Sequence, residues 1–486
     1  MPRPRTIAIG DRIDPARPMP IYLQIVHAII HEIEAGRLSP GNYLPSSRDL
    51  AAALGVNRKT VVLAYEDLIA QGWLCSSGTR GTSVSDALPV AAAGRIGVTR
   101  RAGEQAAYAF QPAPERPLAT PEGRWRKLDE GSPDGRLFPA ELLARAYRGA
   151  VHRTSEGNRL QYRDPRGSPA LREALAIMLK SERGLAVGPD GLCITRGSQN
   201  GIFLAARTLV TPGSAVLVEE LTYEPAVAAF AACGARIVPV KLDEQGIDVV
   251  DVERRCREHR VSAIFLTPHH QFPTAVALRP QRRLRLLDLA RQFNFAIVED
   301  DYDHEFHFQS QPLLPIASYA PERVIYVGSL SKLMLPALRI GYVVAPPPVI
   351  DAIAHNVSLI DGMGNLVTEE AVADLITAGE LRRHARKASQ VYAARRLAFA
   401  DAVACSLGDR VDFRMPDGGL AFWLRFRDPA VLDRVEAAAP GLGLRFASSR
   451  SYATRPEAPR GLRLGFASLG TMEAAAALQT LGRAAG

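Results

Sequence analysis

Between Gly191 and Pro346 short apolar runs recur, each closing on small or polar residues before a helical or turn-like stretch. GLCIT precedes GSQNGIFLAARTLV, AVLVEE precedes LTYEPAVAAFAAC, and SAIFLT precedes PHHQFPTA. FAIVED precedes DYDHEF, RVIYVG precedes SLSK, and RIGYVVAP comes next. Strands that are apolar throughout, rather than at alternate positions, are buried on both faces. That pattern predicts a mostly parallel sheet between helical layers, an α/β domain over about residues 125–486. Ligands of such sheets collect at the carboxyl ends of the strands, so chemistry is sought there.

At 486 residues the chain is too long for one ordinary core. A segment rich in Ala, Pro, Gly and Arg (86–124) has no sustained apolar period and reads as a linker. The expected domains are therefore 14–85 and 125–486. Composition is that of a soluble protein, 47% hydrophobic and 23% charged. No apolar run reaches the roughly 18 residues of a membrane span, and the N-terminus lacks the apolar stretch of a secretory signal. A cytoplasmic location without membrane contact is the expectation. Five scattered cysteines form no CxxC pair and read as reduced thiols. A net charge of +8 permits nucleic-acid binding without establishing it.

In the N-terminal segment, Ile21, Ile25, Ile29 and Ile33 make one helical stripe that stops at Gly36. Ser46 with Asp49 forms a capping box for a second helix, with Leu50 and Leu54 facing inward. Gly55 makes the turn, and Asn57 caps a third helix whose buried side is Val61, Tyr65 and Leu68. WLCSSGTRGTSVS then alternates around a Gly-rich tip, as a β-hairpin does. This order predicts a winged helix-turn-helix (α+β), whose third helix enters the major groove by its first turn. Arg58, Lys59 and Thr60 occupy that turn, Arg48 is placed to hold the backbone, and Arg80 sits at the wing tip. Spacing alone also allows a small helical domain with solvated charges.

Three constellations carry chemistry in the α/β segment. In GSLSKLMLPALRIGY, Lys332 follows a strand on a serine-bearing turn, with Ser329 before it and Arg339 after it. A lysine amine can form a Schiff base, and serine with arginine can hold a phosphate. In AIVEDDYDHEF, Asp300 sits past a strand, where a carboxylate can pair with a protonated pyridine nitrogen, and Tyr302 is near enough to meet a ring hydroxyl. Asp301, Asp303, Glu305, His304 and His307 make a divalent ion conceivable, but the spacing fits no standard metal loop and no metal is assigned. In CITRGSQNGIF, Gly197 and Ser198 lie at a strand-to-helix junction suited to phosphate. Tyr223 is placed to stack on a planar ring.

The string GRLSPGNYLPSSRDLAAALGVNRKTVVLAYEDLIAQGWL resembles the DNA-binding domain of the GntR superfamily nearly end to end. Residues 125–486 resemble a fold-type I aminotransferase, with lysine, aspartate, tyrosine and arginine in that family's order. TPHHQFPTA, EDDYDHEF and SLSKLMLPALRIGY are similar to the versions found in the MocR/GabR class of regulators. The resemblance implies pyridoxal phosphate as an aldimine on Lys332, its pyridine nitrogen on Asp300, its ring hydroxyl at Tyr302 and its ring stacked on Tyr223. It implies a phosphate held among Ser198, Gln199, Ser329 and Arg339, and an effector carboxylate on Arg463. The family's Asn-Pro-Thr-Gly turn reads Phe272-Pro273-Thr274-Ala275 here, which leaves His270 or Gln271 to replace the asparagine. No arginine follows Tyr223 to anchor a second anion.

The combined expectation is a homodimeric transcription regulator. It binds operator DNA and senses an amine, an amino acid or the cofactor itself. The alternative is a working aminotransferase with an accessory DNA-binding domain. The winged helix favours the regulator, with residual transamination compatible.

Overall fold

The computed structural model describes residues 7–76, 78, 81–88, 109, 126–128, 131–156, 160–308 and 313–486. The chain divides into two compact units, residues 1–120 and 121–486.

The first unit contains α1 (Ile21–Glu34), α2 (Ser47–Leu54), α3 (Arg58–Ala70), β1 (Leu74–Ser76) and β2 (Thr82–Val84). Ile25, Ile29 and Ile33 of α1 are buried, and Ile21 is half-buried against the same core. Ser46 accepts from the backbone of Asp49 at 3.2 Å, and its hydroxyl donates to the Asp49 carboxylate at 2.7 Å. Asp49 thus closes back on the cap side chain. Gly55 ends α2 at φ +64°, a left-handed conformation that glycine adopts without penalty. Asn57 caps α3 by accepting from Lys59 N at 2.9 Å. Val61, Tyr65 and Leu68 are buried as expected, and Tyr65 donates its hydroxyl to the Pro45 carbonyl. This bond fixes α3 against the start of α2. β1 and β2 pair antiparallel with Cys75 opposite Ser83. Ile7 and Ile9 join this core from upstream of residue 14.

The second unit is built on a seven-stranded sheet. Its strands are β3 (Leu192–Thr195), β4 (Ala215–Glu219), β5 (Arg236–Val240), β6 (Val261–Leu266), β7 (Ala296–Asp301), β8 (Val324–Ser329) and β9 (Gly341–Val344). Their spatial order is β3-β9-β8-β7-β6-β4-β5. β9 runs antiparallel to both neighbours and the other pairings are parallel. Neighbouring residues feed two different cores. Leu217, Ile264 and Ile297 pack on one face, while Val216, Val218, Phe265 and Val298 pack on the other. Burial on both faces explains the unbroken apolar runs.

A third core surrounds the long helix Glu380–Leu407 and a three-stranded antiparallel sheet of β10 (Val411–Phe413), β11 (Ala421–Phe426) and β12 (Leu462–Gly465). Cys193 and Cys256 are buried and Cys405 is exposed; none is in a disulfide. Among the described residues no helix is long and apolar enough to cross a membrane.

Two positions on the sheet set testable constraints. A Cβ on Gly341 would lie 2.6 Å from the carbonyl carbon of Gly197 and 2.9 Å from Ser198 N. Both are backbone atoms, so no rotamer change relieves the clash. Gly341→Ala is expected to cost about 1–3 kcal/mol, read as a lowered Tm. Glu219 ends β4 at 2% exposure, and burial pushes its carboxyl up to about 8 from 4.5. A group whose folded value is raised gives its full stability below pH 4.5 and loses it as pH climbs to about 8. Glu219→Gln is therefore expected to stabilise the unit by a few kcal/mol above that range and far less below it. Chemical unfolding at the two extremes measures the difference.

Candidate functional site

β4, β6, β7 and β8 are parallel and end on one side of the sheet, where a cavity of about 430 Å³ opens. Five residues expected from the motifs line it: Ser198, Tyr223, Asp300, Tyr302 and Lys332. Each position is set by its place in the chain. Tyr223 is the N-cap of the helix after β4, Asp300 is the penultimate residue of β7, and Lys332 lies in the turn after β8. Ser198 opens the helix Ser198–Leu209, behind Gly197 at φ +82°.

Asp300 is 4% exposed and its Oδ1 has no hydrogen-bond partner. Burial raises its carboxyl well above the usual range. Asp301 and Asp303 add to the rise, and Lys332 opposes it. Lys332 donates through Nζ to the Gly131 carbonyl. Tyr302 donates its hydroxyl to the His270 carbonyl at 2.9 Å and accepts from Arg463 Nη2 at 3.2 Å. Its phenol is raised mainly by burial, with the Arg463 charge pulling the other way. Tyr223 meets Phe272 edge-on at 5.3 Å between ring centres.

The remaining expected residues are not among those that line the cavity. Gln199 donates its amide to the Pro225 carbonyl at 2.8 Å. Ser329 Oγ accepts from Ser331 N at 3.1 Å. Arg339, itself at φ +53°, donates to the Arg196 carbonyl and packs over Gly197, so its charge stands beside the start of the Ser198 helix. Arg463 is 1% exposed, donates to the Pro273 carbonyl at 2.8 Å and lies 4.7 Å above the Phe272 ring.

The two residues expected to replace the asparagine are engaged elsewhere. Gln271 donates to Glu219 and to the Leu221 and Phe272 carbonyls, and His270 Nδ1 lies 2.7 Å from Asp303 Oδ1. Phe272 and Thr267 line the cavity in their place. Arg445 also lines it, from the short strand Leu444–Arg445 paired with Arg126–Lys127. No motif in the sequence flags Arg445, because the pairing that positions it joins segments far apart in the chain.

In the first unit the start of α3 is open. Arg48, Arg58 and Lys59 are exposed and Thr60 is half-buried. Arg58 Nε reaches Ser47 Oγ at 3.4 Å, which links the first turns of α2 and α3. Arg80 lies outside the described residues.

Residues 125–481 match the family model "Aminotransferase class I and II", and residues 21–84 match "Bacterial regulatory proteins, gntR family". The chain is 31% identical to the probable rhizopine catabolism regulatory protein MocR of Rhizobium meliloti, over 93% of this chain and 91% of that one. It is 29% identical to the pyridoxine biosynthesis transcriptional regulator PdxR of Corynebacterium glutamicum, over 94% of each. In fold it is similar to LysN, an α-aminoadipate aminotransferase of Thermus thermophilus solved with N-(5'-phosphopyridoxyl)-L-leucine. That match has a TM-score of 0.69 and 26% identity, covering 74% of this chain and 92% of the other. The aminotransferase model spans well over half the residues and the MocR likeness runs nearly the full length. The chain therefore belongs to the MocR type of GntR-family transcriptional regulators, in which a gntR helix-turn-helix precedes an aminotransferase class I and II domain.

Proposed function

We propose that this regulator binds pyridoxal phosphate in the cavity of its second unit and uses it to sense a small amine or amino acid. Asp300 carries the proposal. It is a carboxylate buried with one bare oxygen, in the same cavity as Lys332, and it suits a cationic ring nitrogen. The LysN complex with a phosphopyridoxyl ligand supports the choice of cofactor. Bound there, the cofactor supplies an aldehyde that condenses with primary amines and a visible chromophore that reports the condensation.

The protein's own groups have separate tasks. Lys332 would be the amine that holds the aldehyde. Asp300 would hold the ring nitrogen, Tyr302 the ring hydroxyl, and Tyr223 the ring face. Ser198 and Gln199 at the helix start, with Ser329 and Arg339, would hold the phosphate, where helix dipole and guanidinium would act together. Arg463, buried and already oriented by Pro273 and Tyr302, takes the effector carboxylate. Arg445 brings a second cation to the cavity wall, which favours effectors with a second anionic group.

The output is DNA binding by Arg48, Arg58, Lys59 and Thr60, with Arg80 at the wing. The regulator works as a cytoplasmic homodimer on paired half-sites. The effector alters operator affinity only through its unequal affinity for the two states of the protein. An aminotransferase reading is the alternative, since Lys332 and Asp300 equally suit catalysis. The gntR domain favours regulation.

Lys332→Ala is expected to abolish the protein-bound chromophore and the effector response while leaving basal operator binding intact. A normal response in that variant, followed by fluorescence anisotropy on operator DNA, sinks the sensor scheme. Arg58→Ala is expected to cost about 1–3 kcal/mol of operator affinity, roughly 5- to 150-fold. Lys59→Ala should also flatten the salt dependence by about one unit of slope if Lys59 contacts phosphate.

A further inference from the structure

The loop after β6 and the turn after β7 bring four imidazole rings together. His269 stands 4.6 Å from His304 and 5.4 Å from His270 between ring centres, and His270 stands 5.6 Å from His307. Asp301 Oδ2 lies 2.9 Å from His304 Nδ1. The sensing scheme assigns no task to these groups.

His269 is 3% exposed, and neither of its ring nitrogens has a hydrogen-bond partner. Asp301 Oδ1 and His304 Nε2 are likewise buried without partners. Each such atom costs about 1–3 kcal/mol if nothing satisfies it, so unpartnered atoms on three neighbouring residues point to a missing ligand. One donor atom from each of His269, Asp301 and His304 falls within 4.8 Å of the others. A tetrahedral zinc with bonds of about 2.1 Å holds its donors about 3.4 Å apart. Side-chain rotation on binding would have to close the difference.

We propose that His269, Asp301 and His304 bind one divalent transition-metal ion of the zinc class, with a water in the remaining position. Two imidazoles and one carboxylate select such an ion over calcium or magnesium, which prefer all-oxygen sets. The surroundings fit an outer shell. The Tyr326 hydroxyl donates to Asp301 Oδ2 at 2.6 Å, orienting the carboxylate. Arg183 lies 3.7 Å from Asp301, and Glu305, with which it pairs, balances its charge. The ion would fasten the loop that carries Phe272 to the strand end that carries Asp300, and so brace two walls of the cavity. The donors come from positions 269, 301 and 304, a spacing outside the standard metal motifs.

The test uses the full chain, freed of any affinity-tag histidines, loaded with zinc and dialysed against a weak chelator. One retained zinc per chain is expected by atomic emission. Cobalt loading should give the visible d–d bands of a nitrogen and oxygen site, and added zinc should remove them. His269→Gln and His304→Gln, checked for folding by circular dichroism, should retain no metal. No retained zinc and no cobalt bands on the unmodified chain overturn the proposal and leave a buried water at the centre. Undiminished zinc in a folded variant overturns it as well. If both variants unfold, zinc-edge fine structure of the unmodified chain decides: two imidazoles support the site, and sulfur ligands refute it. Each outcome is independent of whether the cofactor reading holds.

Discussion

A carboxyl group buried with an unpaired oxygen is costly for a fold to retain, and Asp300 is held in that state at the end of β7. The sheet makes this placement possible. β7 lies inside it, flanked by β6 and β8, so its last residues emerge among other strand ends and not in solvent. Lys332 stands in the same cavity and partly offsets the unfavourable environment of Asp300. Around this pair the chain supplies an aromatic wall, a helix start with the exposed Arg339 beside it, and the buried Arg463 hydrogen-bonded to Tyr302.

Close backbone approach is the second requirement. Gly341 in β9 lies against Gly197, whose left-handed conformation turns the chain into the Ser198 helix. Arg339 packs over the same glycine. The start of the Ser198 helix, proposed to meet a phosphate, is therefore set by two residues without side chains and one guanidinium.

The helix caps Ser46 and Asn57, the left-handed Gly55 and the buried face of α3 are readable in the sequence because each rests on contacts within a few residues. The strand ends are readable because burial on both faces leaves apolar runs with abrupt polar termini. Features that depend on distant pairing are not. Arg445 reaches the cavity by pairing its short strand with Arg126–Lys127. Gln271 and His270, expected to replace a missing asparagine, are occupied by Glu219 and Asp303. The orphaned nitrogens of His269 emerge only once two loops are folded together, and Ile7 and Ile9 extend the first core beyond the helical period of α1.

In the proposed scheme regulator and enzyme diverge only after an amine binds, since Lys332 and Asp300 would serve both. The most direct measurement titrates cofactor-loaded protein with a panel of amines, in the presence of a keto-acid acceptor and labelled operator. Visible spectrum, released product and operator affinity are recorded together. A saturable spectral change by one class of amine is expected, with a parallel change in operator affinity and no sustained product formation. Continued turnover with operator affinity unchanged would contradict the scheme and make the protein an aminotransferase joined to a DNA-binding domain.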